Sequence, residues 1–469
     1  MDNSATKFGY AFYLSYFFRN ILTLDKRFEQ ITLKKIAKPY TVVDFFMEMS
    51  VAISVGCCPL SKIDTELLEE RKLADSIGLE TGFFTASQAH RILNTLNGFH
   101  VNQLRAIGQN LVSEFGDAPR QELIIVDIDQ SARPTYARKR EGATTGKTSK
   151  LGQNCLQWSV AFCAGEVIDQ ELKEGYRHCI DDFEERYLKA LKVLGHIDIL
   201  RIDGGYLSAS NLKLLKNQLF CTKASINLNC IKEGLKKTKG FYWKSIDKHT
   251  KIFDCGFMDI FPEVSQKYRL ILVKGQKMKE RRIPKDQRKQ GQGYRSYRIT
   301  YQEIIFGILT NLSGNKVLVY EFYKQRQTIE NYFRDSNWSF ETSKLPSHKF
   351  RANQAYLWLI SLVQNALQWF KRQCLSSEWQ SCSYKKIRDE LINRKAVVIE
   401  KTAYVQINFS IYFKHKEVHD FADKTLTMMK NRLDNGEPLE NCWKLAVKLS
   451  LPEGLDIEAD REILKPSSS

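Results

Sequence analysis

The alternation of apolar and polar positions divides the chain into stretches of different texture. Up to about residue 118, apolar residues recur at three- and four-residue spacing, as in TELLEERKLADSIGL (65–79) and ASQAHRILNTLNGFHVNQLRAIGQNLVSEF (86–115). That spacing predicts amphipathic helices, with Thr85 or Ser87 as a cap for the second stretch. Gly116 to Pro119 break the pattern and mark a boundary. From residue 121 the texture becomes short β-branched runs: LIIVDID (123–129), LQWSVAFC (156–163), EVIDQEL (166–172) and HIDILRID (196–203). These read as strands, the first and last buried on both faces. Helices are expected at about 180–194 and 208–219, and another strand at CTKASIN (221–227). Strand and helix in alternation imply a mixed α/β sheet covered by helices.

Residues 229 to about 303 break this rhythm with short strands (FYWKSI, KIFDCGF, YRLILVK) and a basic loop, GQKMKERRIPKDQRKQGQGYRSYR. The α/β pattern resumes at EIIFGILTNL (303–312). A helix is expected from about Val317 through Phe333, followed by a long amphipathic one in FRANQAYLWLISLVQNALQWFKRQ (350–373). The expected division is a helical domain at 1–118 and an α/β core at 119–228 and 304–375. A β-rich insertion at 229–303 and a C-terminal region at 376–469 complete it.

Three acidic positions stand out by context. Asp129 and Asp203 lie at the ends of apolar strands, and Glu330 lies on a helix. Two strand-end aspartates and a helical glutamate are the parts of an RNase H-like nuclease site, which holds two divalent cations roughly 4 Å apart. Hard cations require oxygen ligands, so carboxylates suit them. Asp127 sits two residues before Asp129 on the same strand face and stands as the alternative first ligand. On a continuous helix, Tyr323, Arg326 and Glu330 share one face. An arginine there can fork onto a phosphate and a tyrosine hydroxyl can bond one.

Composition narrows the partner. A net charge of +17 favours a polyanion, usually nucleic acid, and argues against a carboxylate-pair glycosidase. Hydrophobic residues at 43% fit a globular chain rather than a disordered one. The eleven cysteines include no C-x-x-C pair, and the start lacks a signal peptide, so a cytoplasmic protein with reduced thiols and no membrane span is expected. The 274–298 stretch carries ten Lys or Arg interleaved with Tyr294 and Tyr297, which reads as a phosphate clamp. Arg91 and Arg105 on the N-terminal helices are candidates for reading DNA sequence. GATTGKT (142–148) misses the P-loop frame, and HKEVH (415–419) has Lys416 where a zinc protease needs glutamate.

The run VDIDQSA…LRIDGGY…ILTNL…YKQRQTIENYFRD…LPS resembles the DDE insertion-sequence transposases whose signature helix reads Y-(2)-R-(3)-E-(6)-K, closest to the IS-thirteen-eighty-like and IS-four-like branches. The resemblance implies an RNase H-like catalytic core with a β-rich insertion between the second aspartate and the glutamate. It implies that Asp129, Asp203 and Glu330 bind two Mg2+ ions, with Mn2+ able to substitute. Tyr323, Arg326, Arg334, Arg281, Arg282, Lys285 and Arg288 would contact DNA. The implied activity is cleavage of double-stranded DNA at element ends and strand transfer to a target, by a homodimer on DNA in a prokaryotic cytoplasm. One departure stands out: the expected lysine is Asn337 here, leaving its role to Arg334 or Lys344. An RNase H-like endonuclease without strand transfer, or an inactive DNA-binding relic, are the competing readings.

Overall fold

A computed structural model describes residues 3–33, 40–137, 139–146, 148, 152–282, 297–401, 405–410, 412–445 and 448–464. Its centre is one large mixed sheet. The strands are β1 (Asn3–Thr6), β2 (Ile125–Pro134), β3 (Thr144–Thr145), β4 (Asn154–Cys163), β5 (Glu166–Glu174), β6 (Ile199–Ile202), β7 (Leu219–Ala224), β8 (Lys244–Ser245), β9 (Lys251–Met258), β10 (Tyr268–Arg282), β11 (Tyr297–Thr310), β12 (Ala396–Glu400) and β13 (Val405–Phe409). The large sheet runs β3-β4-β2-β6-β7-β11-β10-β9-β8, with β5 paired to β4. β2 is antiparallel to β4 and parallel to β6, which is parallel to β7. All four residues of β6 are buried, as are Ile125 to Ile128 of β2, because helices cover both faces of these central strands.

The 229–303 stretch does not stand apart from this sheet. β11 pairs antiparallel with β7, with Gly307 opposite Ala224, so β8 to β11 extend the same sheet, and β11 itself runs across position 303. The two ends of the expected basic loop, 275–282 and 297–298, are strand: β10 pairs with β11 from Arg269↔Thr310 out to Arg282↔Tyr297, and residues 283–296 lie outside the described residues. Arg281 and Arg282 are on the β10 backbone, but their side chains, together with Lys285 and Arg288, lie outside the described residues.

The longer helices are α1 (Val42–Val55), α2 (Gly98–Phe115), α3 (Phe183–Leu194), α4 (Asn229–Lys237), α5 (Lys316–Lys324), α6 (Gln327–Phe340), α7 (Phe350–Cys374) and α8 (Lys416–Asp434). The buried length of α7 packs on β5 and against α1, α2 and α8. Gly108 of α2 lets Trp358 of α7 approach: a Cβ there would already be in tight contact at 3.4 Å. The N-terminal strand β1 pairs with β12, Ala5 opposite Val397. The first 118 residues therefore share one core with the C-terminal helices. Thr85 caps its helix through a capping box with Gln88, as expected. Among the described residues no single helix is long and apolar enough to cross a membrane.

Candidate active site

The register of two parallel strands places the aspartates. The last pair between β2 and β6 is Ile128↔Ile202, so Asp129 and Asp203 follow side by side where β6 ends. β2 itself continues to Pro134 on β4, with Asp129 opposite Val160. Asp129 is thus not at the end of its strand, as the sequence implied, but at the point where its β6 neighbour stops. Beyond Asp203 the chain turns hard against β7. A Cβ on Gly204 would meet the Lys223 carbonyl at 2.5 Å, so this position requires glycine. The Asp203 Oδ2 accepts the Gly205 N–H at 3.4 Å.

The helix carrying Glu330 differs from expectation. It breaks at Gln325 and Arg326 into α5 and α6, although neither glycine nor proline is present. The cause is tertiary. Arg201 of β6 donates from Nη1 to the Phe322 carbonyl at 3.1 Å, the acceptor that the Arg326 N–H would take in a continuous α-helix. The Arg326 N–H bonds to the Tyr323 carbonyl instead. Arg326 becomes the N-cap of α6, Glu330 falls in its first turn, and Tyr323 ends up in a separate core layer, 9% exposed. The three no longer share a single helix face. Tyr323 lies under the arginine, whose guanidinium carbon is 5.9 Å from its ring centroid, rather than out towards a substrate.

All three candidate carboxylates converge on Arg326. Its Nη1 is 2.9 Å from Asp129 Oδ2, its Nη2 is 2.7 Å from Glu330 Oε1, and the same Nη2 is 3.9 Å from Asp203 Oδ1. The Asp129, Asp203 and Glu330 side chains are 16%, 41% and 55% exposed, so the cluster opens to solvent on the Asp203–Glu330 side. Burial pushes the Asp129 carboxyl up to about 6; the Arg326 charge pulls it down, and Asp203 adds to the rise. As they stand, no three acidic, His or Cys side chains among the described residues are close enough to hold a metal ion. The donor set is nonetheless all carboxylate oxygen around a single positive charge, which fits hard divalent cations.

Asp127 has a different fate. Its two oxygens accept from Arg201 Nε and Nη2, both at 2.8 Å, and Oδ2 also accepts the Thr328 hydroxyl at 3.2 Å. Burial raises this carboxyl, while Arg201 opposes the shift. The pair joins β2, β6 and α6 beneath the open cluster.

Other candidates scatter. Arg334 is exposed on α6 and donates to Asn331 Oδ1 at 2.8 Å. Asn337, in the place of the expected lysine, accepts the Ser343 N–H at 2.9 Å and so fastens the loop after α6. Lys344 pairs with Glu341 at 2.8 Å. Arg105 is committed to Glu171 and to Asp169 (3.3 Å), which removes it as a DNA reader. His419 bonds to Tyr13.

Sequence reasoning missed Arg133. It lies four residues beyond Asp129 on the same strand face, buried, its guanidinium carbon 4.6 Å from the Trp158 ring and 5.6 Å from that of Phe333. Its Nη1 donates to Ser131 Oγ at 3.2 Å, while Nε and Nη2 have no partner among the described residues. Burial lowers its pKa to about 10. The period-two pattern Asp127, Asp129, Ser131, Arg133 was the available signal.

Residues 277–431 match the family model described as transposase DDE domain group 1. That third of the chain contains Arg326 and Glu330; Asp129 and Asp203 lie outside it. No curated protein matches the chain significantly. Among solved structures, a piggyBac transposase in a synaptic complex with hairpin DNA is similar at 13% identity and a TM-score of 0.40, over 98% of this chain and 91% of that one.

Proposed function

We propose that this chain is a DDE-type DNA transposase, which cleaves DNA at the ends of a mobile element and joins the freed 3′-hydroxyls to target DNA. The observation that carries the reading is the meeting of Asp129, Asp203 and Glu330 on one guanidinium, from three positions far apart in the chain. Three further facts support it. The strand order β5-β4-β2-β6-β7, antiparallel through β2 and parallel after it, is that expected of an RNase H-like core. The family model covers the Glu330 segment. The charge of +17 suits a polyanionic substrate.

On this reading Asp129, Asp203 and Glu330 hold two divalent cations, magnesium or manganese, which when bound activate the attacking oxygen and offset phosphate charge. Asp129 rather than Asp127 serves as the first ligand on this reading: Asp127 is buried in its pair with Arg201 and Thr328, whereas Asp129 lies beside Asp203 and Glu330 where the cluster opens to solvent. Arg326 sits within reach of all three carboxylates, so its fork is placed to orient a phosphate there. Arg334, exposed one turn after Glu330, extends the positive surface along the flanking strand. Two element ends must be paired, which calls for a homodimer on DNA.

The test uses duplex DNA carrying the sequences that flank this chain's own coding region. Wild-type protein with Mg2+ nicks one end and joins it to a second duplex. Asp129→Asn, Asp203→Asn and Glu330→Gln each lower both steps by at least about 10³-fold. Nicking without joining would move the reading to an endonuclease. Binding with neither step would make the chain a DNA-binding relic.

A further inference from the structure

Resting on the reading above, we infer that Arg326 is a latch on the carboxylate cluster: its guanidinium occupies the metal-binding oxygens until a DNA phosphate takes the fork away. The geometry carries this. One side chain contacts Asp129 at 2.9 Å and Glu330 at 2.7 Å, with Asp203 at 3.9 Å, and among the described residues no other Lys or Arg pairs with any of the three. A guanidinium fork matches a carboxylate and a phosphate equally well, but the same N–H groups cannot serve both at once. While they point at Asp129 and Glu330, those oxygens are partly spent, and the three acids are not close enough together to chelate an ion. When a phosphate draws the fork outward, the same oxygens are released together.

The backbone supports a moving arginine. Arg326 stands at the break between α5 and α6, where the Arg201–Phe322 bond has already interrupted the helical ladder. The rest of its setting is fixed: Tyr323 lies beneath it, and Asp127 with Thr328 anchors the start of α6. The consequence is ordered assembly. Cations bind firmly only when substrate phosphate is present, which keeps the free protein from acting as an unspecific nuclease.

The test measures Mn2+ binding to the full chain without DNA, by the electron paramagnetic resonance of free Mn2+. Arg326→Gln binds Mn2+ about tenfold tighter than wild type or more, equivalent to about 1.4 kcal/mol. Arg326→Lys separates a latch from simple charge removal, because lysine keeps the charge and loses the fork. It too binds Mn2+ several-fold tighter, and Glu330→Gln added to either variant removes the gain. Equal affinity of Arg326→Lys and wild type overturns the latch while leaving the metal-dependent reading intact. Should Arg326→Gln not fold, the lysine variant decides alone. If neither variant nor wild type with DNA binds Mn2+, the metal-dependent function itself fails, and the latch with it.

Discussion

Asp127 and Asp129 lie two residues apart on one strand face, yet they take different partners, and on the proposed reading thermal denaturation should separate them. Removing the Asp127 carboxylate leaves the Arg201 guanidinium, 4% exposed, with the Phe322 carbonyl at 3.1 Å and Gln325 Oε1 at 3.5 Å as its remaining partners. Breaking a buried pair in this way costs about 3–5 kcal/mol, because an uncompensated charge stays behind. For a chain of 469 residues melting cooperatively, the typical entropy per residue converts that to a drop in Tm of about 3–5 °C. Asp127→Ala and Arg201→Met should each show it. The double variant Asp127→Leu with Arg201→Met should lose far less than the sum, since it buries no orphan charge. Asp129→Asn is the control. Its carboxylate is partly exposed and Arg326 keeps Glu330 as a partner, so Tm stays within about 1 °C while activity disappears. The reasoning fails if Asp127→Ala melts like wild type, or if the two single costs add in the double variant.

Two further outcomes follow from buried charge elsewhere. Arg133 has no carboxylate partner among the described residues; desolvating it costs several kcal/mol against about 2 kcal/mol from each ring, so Arg133→Met should leave Tm unchanged or higher. A fall of several degrees in calorimetry would show that the rings more than compensate. Glu48 is buried in α1, and burial lifts its carboxyl well above the ordinary 4.5, with the Phe84 N–H pulling the other way. The folded form therefore holds its proton after the unfolded chain has released it, so wild-type stability falls as pH rises above about 4.5. Glu48→Gln should melt higher than wild type at pH 7.5, with the gap closing by about pH 4. Parallel Tm–pH curves for the two proteins would refute this assignment.

The order of elements was legible because it rests on local periodicity. β-branched runs predicted β2, β4, β5 and β6, three- and four-residue spacing predicted α2 and α7, and of the two caps the sequence offered, Thr85 and Ser87, the structure uses Thr85. The candidate acids were also legible, since each interrupts an apolar strand or sits in a recognisable helix. The division into domains was harder to read, because edge pairing is not written in any one segment. β11 pairs with β7, and β1 with β12, only through partners distant in the chain.

What the sequence determined by itself was the set of strands and helices and a short list of carboxylates, because period and residue type are properties of neighbours along the chain. What only the tertiary structure decided was which partner each aspartate takes and where the glutamate's helix begins. Arg201 reaches across from β6 to take both Asp127 oxygens and the Phe322 carbonyl, and Arg326, at the break in the helix, takes Asp129 instead. A long side chain acting across strands leaves no periodic trace, so no pattern along the chain could have foretold it.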